Sequence, residues 1–326
     1  MLKHLLSTLA VLACATVALA ADEATSTERP ISGFIPLKWP CYAGILLYGV
    51  SWIFLFAHWI RTGRPSYMIT LLIGMFFMSI GFALRLWYIG NPYKVMNYAV
   101  SNSVTLLSPC FFLATDYVLL SQLSLSLGEE VSRRCLLIRR TWLVKIFLAA
   151  DILTFLIQGG AGGMQASGGS MANLGEKAML GGLGLQVASF GLFVLVLAHF
   201  GFKVRQLYPS VWYTPTQSFS EIYGPLKISP VDDWRQLYIV LCLTSVAILI
   251  RCAFRLCEYL GGYDSYLATH EAFFYSFDAF PLWLGMTLFV FLWPARCLSP
   301  RALEHSYTGT SNMEMGKRIL TSDSRY

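Results

Sequence analysis

The chain has 326 residues, of which 56% are hydrophobic and 13% charged, and its net charge is +6. Such a chain cannot bury its apolar surface in one water-soluble core, so the composition excludes an ordinary soluble domain and predicts a membrane protein. The basic excess lies mainly in segments that we assign below to the cytosolic side, where anionic lipid headgroups attract it. We therefore expect a lipid bilayer around the chain and no nucleic-acid partner.

Residues 1–20 are typical of a signal peptide. Lys3 and His4 precede an apolar stretch from Leu5 to Leu19, and small residues follow at a suitable cleavage site. The stretch is short for a membrane span, which needs about 20 residues. An uncleaved first helix is the alternative. Both interpretations place residues 21–40 outside the cytosol, as an extracellular N-terminal segment.

Seven apolar runs follow, and each is long enough to cross a hydrocarbon core of about 30 Å as an α-helix. They cover residues 41–60, 67–89, 98–123, 142–158, 178–200, 237–260 and 270–293. Tryptophans near their ends are typical of an interfacial belt. The sequence therefore predicts an all-α fold, an integral membrane seven-helix bundle over residues 41–294. Residues 295–326 form a cytosolic tail whose Ser, Thr and charge content predicts disorder.

The connections between the runs differ in basic charge. Fifteen Lys and Arg residues lie on one set of flanks and four on the other. The positive-inside rule therefore places the N-terminus outside and the C-terminus in the cytosol, in agreement with the signal peptide.

Two connections have a distinctive composition. The outer stretch 159–170, GGAGGMQASGGS, is rich in glycine, so we expect a flexible loop there, with a lid or re-entrant segment as the alternative. The longest cytosolic connection, residues 201–235, contains four prolines, which argue against a continuous helix.

Polar side chains recur inside the last two runs at helical spacing. Six of them stand at positions i, i+4 and i+7 of their helices: Arg251, Arg255 and Glu258 in the sixth run, and Glu271, Tyr275 and Asp278 in the seventh. Each helix is thus expected to carry a polar stripe. Counting from the shared outer loop at 1.5 Å per residue places Arg251 and Asp278 in one layer, roughly 12 to 13 Å deep. Arg255 and Tyr275 are expected in a shallower layer.

Earlier runs contribute polar groups at similar depths: Arg85, Asp151, Gln158 and Gln186. Charged groups within a bilayer are tolerated when they face the bundle interior and pair or meet water. Together with the two stripes, these residues predict a polar, ligand-binding cavity that opens outward. The alternative is a set of interhelical ion pairs and hydrogen bonds that only fix the packing. On the inner side, Asp116 is expected to make local hydrogen bonds, with a role in a path to the cytosol as the alternative.

No pattern of catalysis or cofactor binding stands out. The five histidines do not group with carboxylates at one depth as metal ligands would, and no phosphate-binding GxxxxGK[ST] segment occurs. Serines lack the GxSxG setting of a nucleophile. We therefore expect no enzyme activity, no catalytic residue, no metal and no cofactor.

A family resemblance rests on three segments: DILTFLIQGGAGGMQASG, GGLGLQVASFGLFV and IRCAFRLCEYLGGYDSYLATHEAFFYSFDAFPLWLGM. They resemble the fungal RTA-like proteins, also called the lipid-translocating exporter family, and the third-run segment LLSPCFFLATDYVLL fits the same pattern. The resemblance implies a seven-helix protein, multi-pass in the fungal plasma membrane, whose relatives are linked to sphingoid-base release, stress resistance to toxic amphiphiles and porphyrin uptake. It also implies that eight of the polar residues above stand at family-pattern positions: Asp151, Gln158, Gln186, Arg251, Arg255, Glu258, Glu271 and Asp278.

Residues and resemblance together predict a membrane protein that binds amphipathic lipids or toxic amphiphiles of the sphingoid-base type and translocates or exports them. A cationic headgroup would meet Asp151, Glu271 or Asp278, and an anionic one Arg251 or Arg255. The alternative is a seven-helix receptor or lipid sensor with an outward-facing pocket. A polar route that continues to the cytosol favours transport, whereas a sealed inner half favours sensing.

Overall fold

The computed structural model describes residues 37–90, 95–167, 169–209, 212, 233–261 and 270–298. Within them lie seven helices long and apolar enough to cross a membrane, and no strand. We number them α1 Lys38–Arg61, α2 Ile69–Gly90, α3 Val95–Ser126, α4 Arg140–Ser167, α5 Gly169–Leu207, α6 Trp234–Leu260 and α7 Glu271–Phe291. The predicted all-α bundle of seven membrane helices is confirmed.

Several predictions from the sequence fall outside the described residues. These are the signal peptide, most of the extracellular segment, most of the connection between α5 and α6, and nearly all of the C-terminal tail. The orientation of the termini stays a prediction. Three short elements complete the described chain: a 3₁₀ turn at Ser66–Met68, a helix at Glu129–Cys135 between α3 and α4, and a helical turn at Pro294–Cys297.

The seven helices form a closed ring in which each packs against its sequence neighbours and α7 returns to α1. α3 lies nearest the centre, because it contacts α2, α4 and, across the bundle, α6. Its side chains Tyr117 and Phe112 are fully buried, whereas Leu, Ile and Phe side chains on the outer faces of the other helices are exposed. Exposed apolar faces of this kind suit a lipid environment.

The described residues of the glycine-rich stretch, 159–167 and 169–170, are helical, so the predicted flexible loop is wrong. α4 continues to Ser167 and α5 begins at Gly169. α5 packs closely against this part of α4 through its own glycines: a Cβ atom at Gly175 would lie 2.8 Å from the carbonyl oxygen of Ala161, and one at Gly182 would lie 3.1 Å from Gln158 Cγ. The glycines at 160, 162 and 163 face open space, since a Cβ atom there would meet no atom within 4 Å. In a membrane a helix satisfies the backbone N–H and C=O groups of the stretch, which offsets the low helix propensity of glycine.

α7 changes its helical form part-way along its length. Residues Phe274–Ala279 form a π-helix, in which the N–H of Phe280 donates to the carbonyl of Tyr275, five residues back. Pro281 follows directly and has no N–H to offer to the preceding turn, which favours a local departure from the α-helix. A π turn holds more residues than an α turn, so side chains along this segment point in directions that α-helical spacing does not predict.

Below the polar residues, aromatic side chains fill the centre of the bundle. Tyr117 of α3 packs against Phe147 of α4 and Phe193 of α5, with ring centroids 5.4 and 4.6 Å away. Phe190 stacks on Phe193 at 5.7 Å. All four rings are buried. This aromatic cluster joins α3, α4 and α5.

Candidate functional site

Asp278 of α7 lies between two arginines of α6. Its Oδ1 pairs with Nη1 of Arg251, and its Oδ2 lies 2.5 Å from Nη2 of Arg255. Arg255 also donates to Glu258, with Nη1 3.1 Å from Oε2. Asp278 is completely buried and Arg251 nearly so. The ion pair confirms that Arg251 and Asp278 share a layer, as their depths along the two helices predicted.

A second ion pair ties α7 to the opposite side of the bundle. Nη2 of Arg85, on α2, lies 3.2 Å from Oε1 of Glu271, at the N-terminal end of α7. The other oxygen of Glu271 accepts from the backbone N–H of Leu37, directly before α1, at 2.9 Å. The carboxylate of Glu271 therefore joins three helices. α7 is thus held by ion pairs to α2 on one side and to α6 on the other.

The ring of Phe274 joins the two ion-pair groups. The Cζ atoms of Arg85 and Arg255 lie 4.6 and 5.1 Å from its centroid, within the range of cation–π attraction. The sequence analysis missed Phe274. No spacing along α7 marks this ring, because its two cationic neighbours come from α2 and α6.

Tyr275 does not contact the arginines of α6, so it does not continue the predicted polar stripe toward that helix. Its hydroxyl lies 3.4 Å from the Sγ of Cys41 on α1, and its ring stacks on Phe82 of α2 at 6.3 Å. Tyr275 thus faces α1 and α2, while Asp278 faces α6. The π-helix explains the divergence, because i, i+4 and i+7 are not on one face when a turn is wider.

The two glutamines form a contact of their own. Nε2 of Gln158 on α4 donates to Oε1 of Gln186 on α5 at 2.8 Å. Neither side chain has a hydrogen bond to the arginines or carboxylates in the described part of the chain. This pair fixes the α4–α5 contact and stands apart from the ion-pair groups.

Asp151 is the candidate residue that the structure leaves without a charged partner. Its side chain is fully buried on α4, and neither carboxyl oxygen has a hydrogen bond. The Tyr117 hydroxyl interacts electrostatically with this group but does not reach hydrogen-bond geometry. The three arginines of the outer layer, Arg85, Arg251 and Arg255, pair instead with Glu258, Glu271 and Asp278.

Asp116 of α3 makes local hydrogen bonds, as predicted. The Thr244 hydroxyl lies 3.1 Å from both of its oxygens, and the Ser245 hydroxyl lies 3.2 Å from Oδ2. All three side chains are buried. The contact joins α3 to α6 near the centre of the bundle.

The paired groups give the site its chemical character. Side chains that the sequence predicted to line an outward cavity are paired with one another and largely buried in this conformation. In the described residues, no group of three or more His, Cys, Asp or Glu side chains is arranged to hold a metal ion. The arrangement offers charged groups that a polar headgroup can contact only if it displaces an existing partner or meets Asp151.

The sequence profile of the family described as RTA1 like protein matches residues 71–301. This chain belongs to the RTA1-like family. The match covers α2 to α7, and thus every candidate residue in the ion-pair groups, the glutamine pair and Asp151. No solved structure matches the chain.

Named relatives come from Saccharomyces cerevisiae. Protein RTA1 is 29% identical over 226 residues, which is 69% of this chain and 65% of the relative. Protoporphyrin uptake protein 1 is 26% identical over 216 residues, 66% of this chain and 65% of the relative. The sphingoid long-chain base transporter RSB1 is 28% identical over 259 residues, 69% and 66% of the two chains. The chain thus spans slightly less than two thirds of the length of these relatives.

Two of these relatives are thus named for uptake or transport, one of protoporphyrin and the other of sphingoid long-chain bases.

Proposed function

We propose that this protein binds amphipathic lipids or toxic amphiphiles of the sphingoid-base type and translocates them across the plasma membrane. The similarity to a sphingoid long-chain base transporter supports the substrate class. The apolar tail of such a molecule suits the lipid-facing side chains, and its polar headgroup needs charged partners inside the bundle. The protein needs no catalytic residue for this activity.

The position of α7 supports the proposal most directly. Ion pairs hold this helix on both sides: Glu271 to Arg85 on α2, and Asp278 to Arg251 and Arg255 on α6. A charged headgroup can replace one partner of such a pair, which apolar packing does not allow. The Arg85–Glu271 pair is also the more accessible one, with 21% and 8% of its side chains exposed. We infer that the headgroup enters here, between α2 and α7.

Transfer across a protein-containing bilayer tests this function. The purified protein is placed in liposomes, and movement of a fluorescent sphingoid base between leaflets is followed by quenching of the outer leaflet. We expect faster transfer than in protein-free liposomes. The double variant Arg251→Ala and Asp278→Ala should lose the increase. The matched control, Glu130→Gln with Arg134→Gln, removes an exposed ion pair outside the bundle and should transfer like the wild type. All variants are checked for folding.

A receptor or lipid sensor is the second candidate, and the packing of the inner half favours it. The aromatic cluster around Tyr117 and the buried Asp116–Thr244 contact leave no continuous polar route among the described residues of this half. In that case the wild-type protein will bind the fluorescent base saturably, yet leaflet transfer will equal that of protein-free liposomes. This result would refute transport by the chain alone.

A further inference from the structure

The charge balance of the outer layer sets Asp151 apart. Three guanidinium groups, Arg85, Arg251 and Arg255, meet the three carboxylates of Glu258, Glu271 and Asp278. These six residues are neutral as a set when all are charged. No arginine or lysine of the described chain pairs with Asp151, although its side chain is fully buried.

The surroundings of Asp151 offer it no strong donor. Tyr117 and Cys110 on α3 and Cys252 on α6 are within electrostatic range of it. Both carboxyl oxygens, and the Tyr117 hydroxyl, lack a hydrogen-bond partner. An ionised carboxylate without a cation or donor is very costly in such a place, so the group retains its proton in this conformation. The site is therefore a buried carboxylic acid without a partner.

Asp116 shows that a buried carboxyl group in this bundle can have hydrogen-bond partners. It is equally buried, one residue before Tyr117, but the hydroxyls of Thr244 and Ser245 lie within hydrogen-bond distance of its carboxylate. Asp116 thus has a structural role that accounts for its presence. Asp151 has no such contact: the Tyr117 hydroxyl near it does not reach hydrogen-bond geometry, and neither carboxyl oxygen has a hydrogen-bond partner among the described residues.

Asp151 also lies next to the ion-pair layer. Cys110 and Cys252 are each within electrostatic range of both Asp151 and Arg251. Asp151 and Arg251 thus share two neighbours, Cys110 on α3 and Cys252 on α6.

We propose that Asp151 is an exchange site, at which its carboxyl group gives up a proton and binds the ammonium headgroup of an amphiphile. The O–H bond of the acid breaks, the proton leaves to water, and the carboxylate forms an ion pair with the ammonium group. No oxidant, reductant or metal takes part. The inference rests on the proposed function, and it adds a defined cation site and a means of coupling amphiphile movement to proton movement in the opposite direction.

Competition between a proton and an ammonium group has a direct consequence for pH dependence. While Asp151 is protonated in the empty protein, each unit of falling pH weakens ammonium binding about tenfold, and about one proton leaves per bound molecule. Both effects disappear when the carboxyl group is replaced by an amide. Binding that depends only on apolar contacts would show neither.

The test uses the full-length protein in lipid nanodiscs and a sphingosine whose nitrogen carries three methyl groups. This probe keeps its charge at every pH, so any pH dependence belongs to the protein. Binding is measured at several pH values by titration calorimetry, and proton release is measured in weak buffer with an indicator dye. We expect wild type and Asp116→Asn to show the pH-dependent affinity and the released proton, and Asp151→Asn to lose both.

The outcomes separate the inference from the proposed function. A wild-type protein that binds and transfers the probe without pH dependence or proton release would overturn the exchange site and leave the function standing. An Asp151→Asn variant that retains wild-type pH dependence would do the same. If the wild type neither binds nor transfers the probe, the proposed function fails and the exchange site fails with it. The wild-type measurements decide the matter even if the variant does not fold.

Discussion

Replacing Asp278 with asparagine removes the one negative charge that faces two buried guanidinium groups. The amide keeps the size and shape of the carboxylate, so the change is almost purely electrostatic. Asp278 is completely buried, and the side chains of Arg251 and Arg255 are only 5% and 14% exposed. Arg255 retains Glu258 as a partner, but Arg251 has no other acidic partner among the described residues.

The size of the effect follows from burial. Breaking a buried ion pair by removing one partner costs about 3–5 kcal/mol, because an uncompensated charge remains. The exposed pair of Glu130 and Arg134, with 70% and 66% of its side chains exposed, provides the matched control. Such a pair contributes about 0.3–0.5 kcal/mol, so Glu130→Gln should scarcely change the free energy of unfolding.

Equilibrium unfolding in mixed micelles of mild detergent and increasing SDS measures both variants, with tryptophan fluorescence as the signal. Adding Arg251→Met to Asp278→Asn should recover part of the lost stability, because it removes the stranded charge. If Asp278→Asn loses no more free energy of unfolding than Glu130→Gln, water solvates the arginines of α6, and the outer layer is an open site rather than a packed one.

Three further substitutions test individual contacts by the same unfolding measurement. Gly175→Ala should lower the free energy of unfolding by about 1–3 kcal/mol, because its Cβ meets the α4 backbone, whereas Gly181→Ala meets no atom within 4 Å and should be neutral or slightly stabilising. Equal effects would contradict the close α4–α5 packing. Gln158→Leu alone should lower the free energy of unfolding by about 1–3 kcal/mol, because it leaves the amide of Gln186 without its hydrogen-bond partner. Replacing both glutamines by leucine should lower it less. A larger loss in the double variant would contradict an isolated pair. Thr244→Val should lower the free energy of unfolding by about 1–3 kcal/mol, because it removes the hydroxyl that lies 3.1 Å from both carboxyl oxygens of Asp116. An unchanged free energy of unfolding would contradict that contact.

Sequence patterns predicted the parts of this site that depend on position along a single helix. Depth follows from a fixed rise per residue, and so the pairing of Arg251 with Asp278 was predictable from their distances to the outer loop. The local hydrogen bonding of Asp116 was also predictable, since a lone buried carboxylate needs nearby donors. These predictions needed no knowledge of how the helices pack.

Other parts of the site depended on contacts between helices. The same carboxylate pattern on α7 led to different partners, with Glu271 turned to Arg85 and Asp278 to α6, because a π-helical segment altered the direction of the side chains. The ring of Phe274 contacts two guanidinium groups that belong to other helices. Neither arrangement is encoded in residue spacing along one segment.

The sequence by itself determined that this chain forms seven membrane helices with charged groups inside them, because hydropathy and the energetic cost of unsatisfied backbone groups in lipid act on each segment separately. The tertiary structure decided which charges neutralise each other, packed α5 closely against the glycine-rich stretch, and left Asp151 without a partner. These outcomes depend on distances of a few ångströms between side chains on different helices, which only the packing of the whole bundle sets.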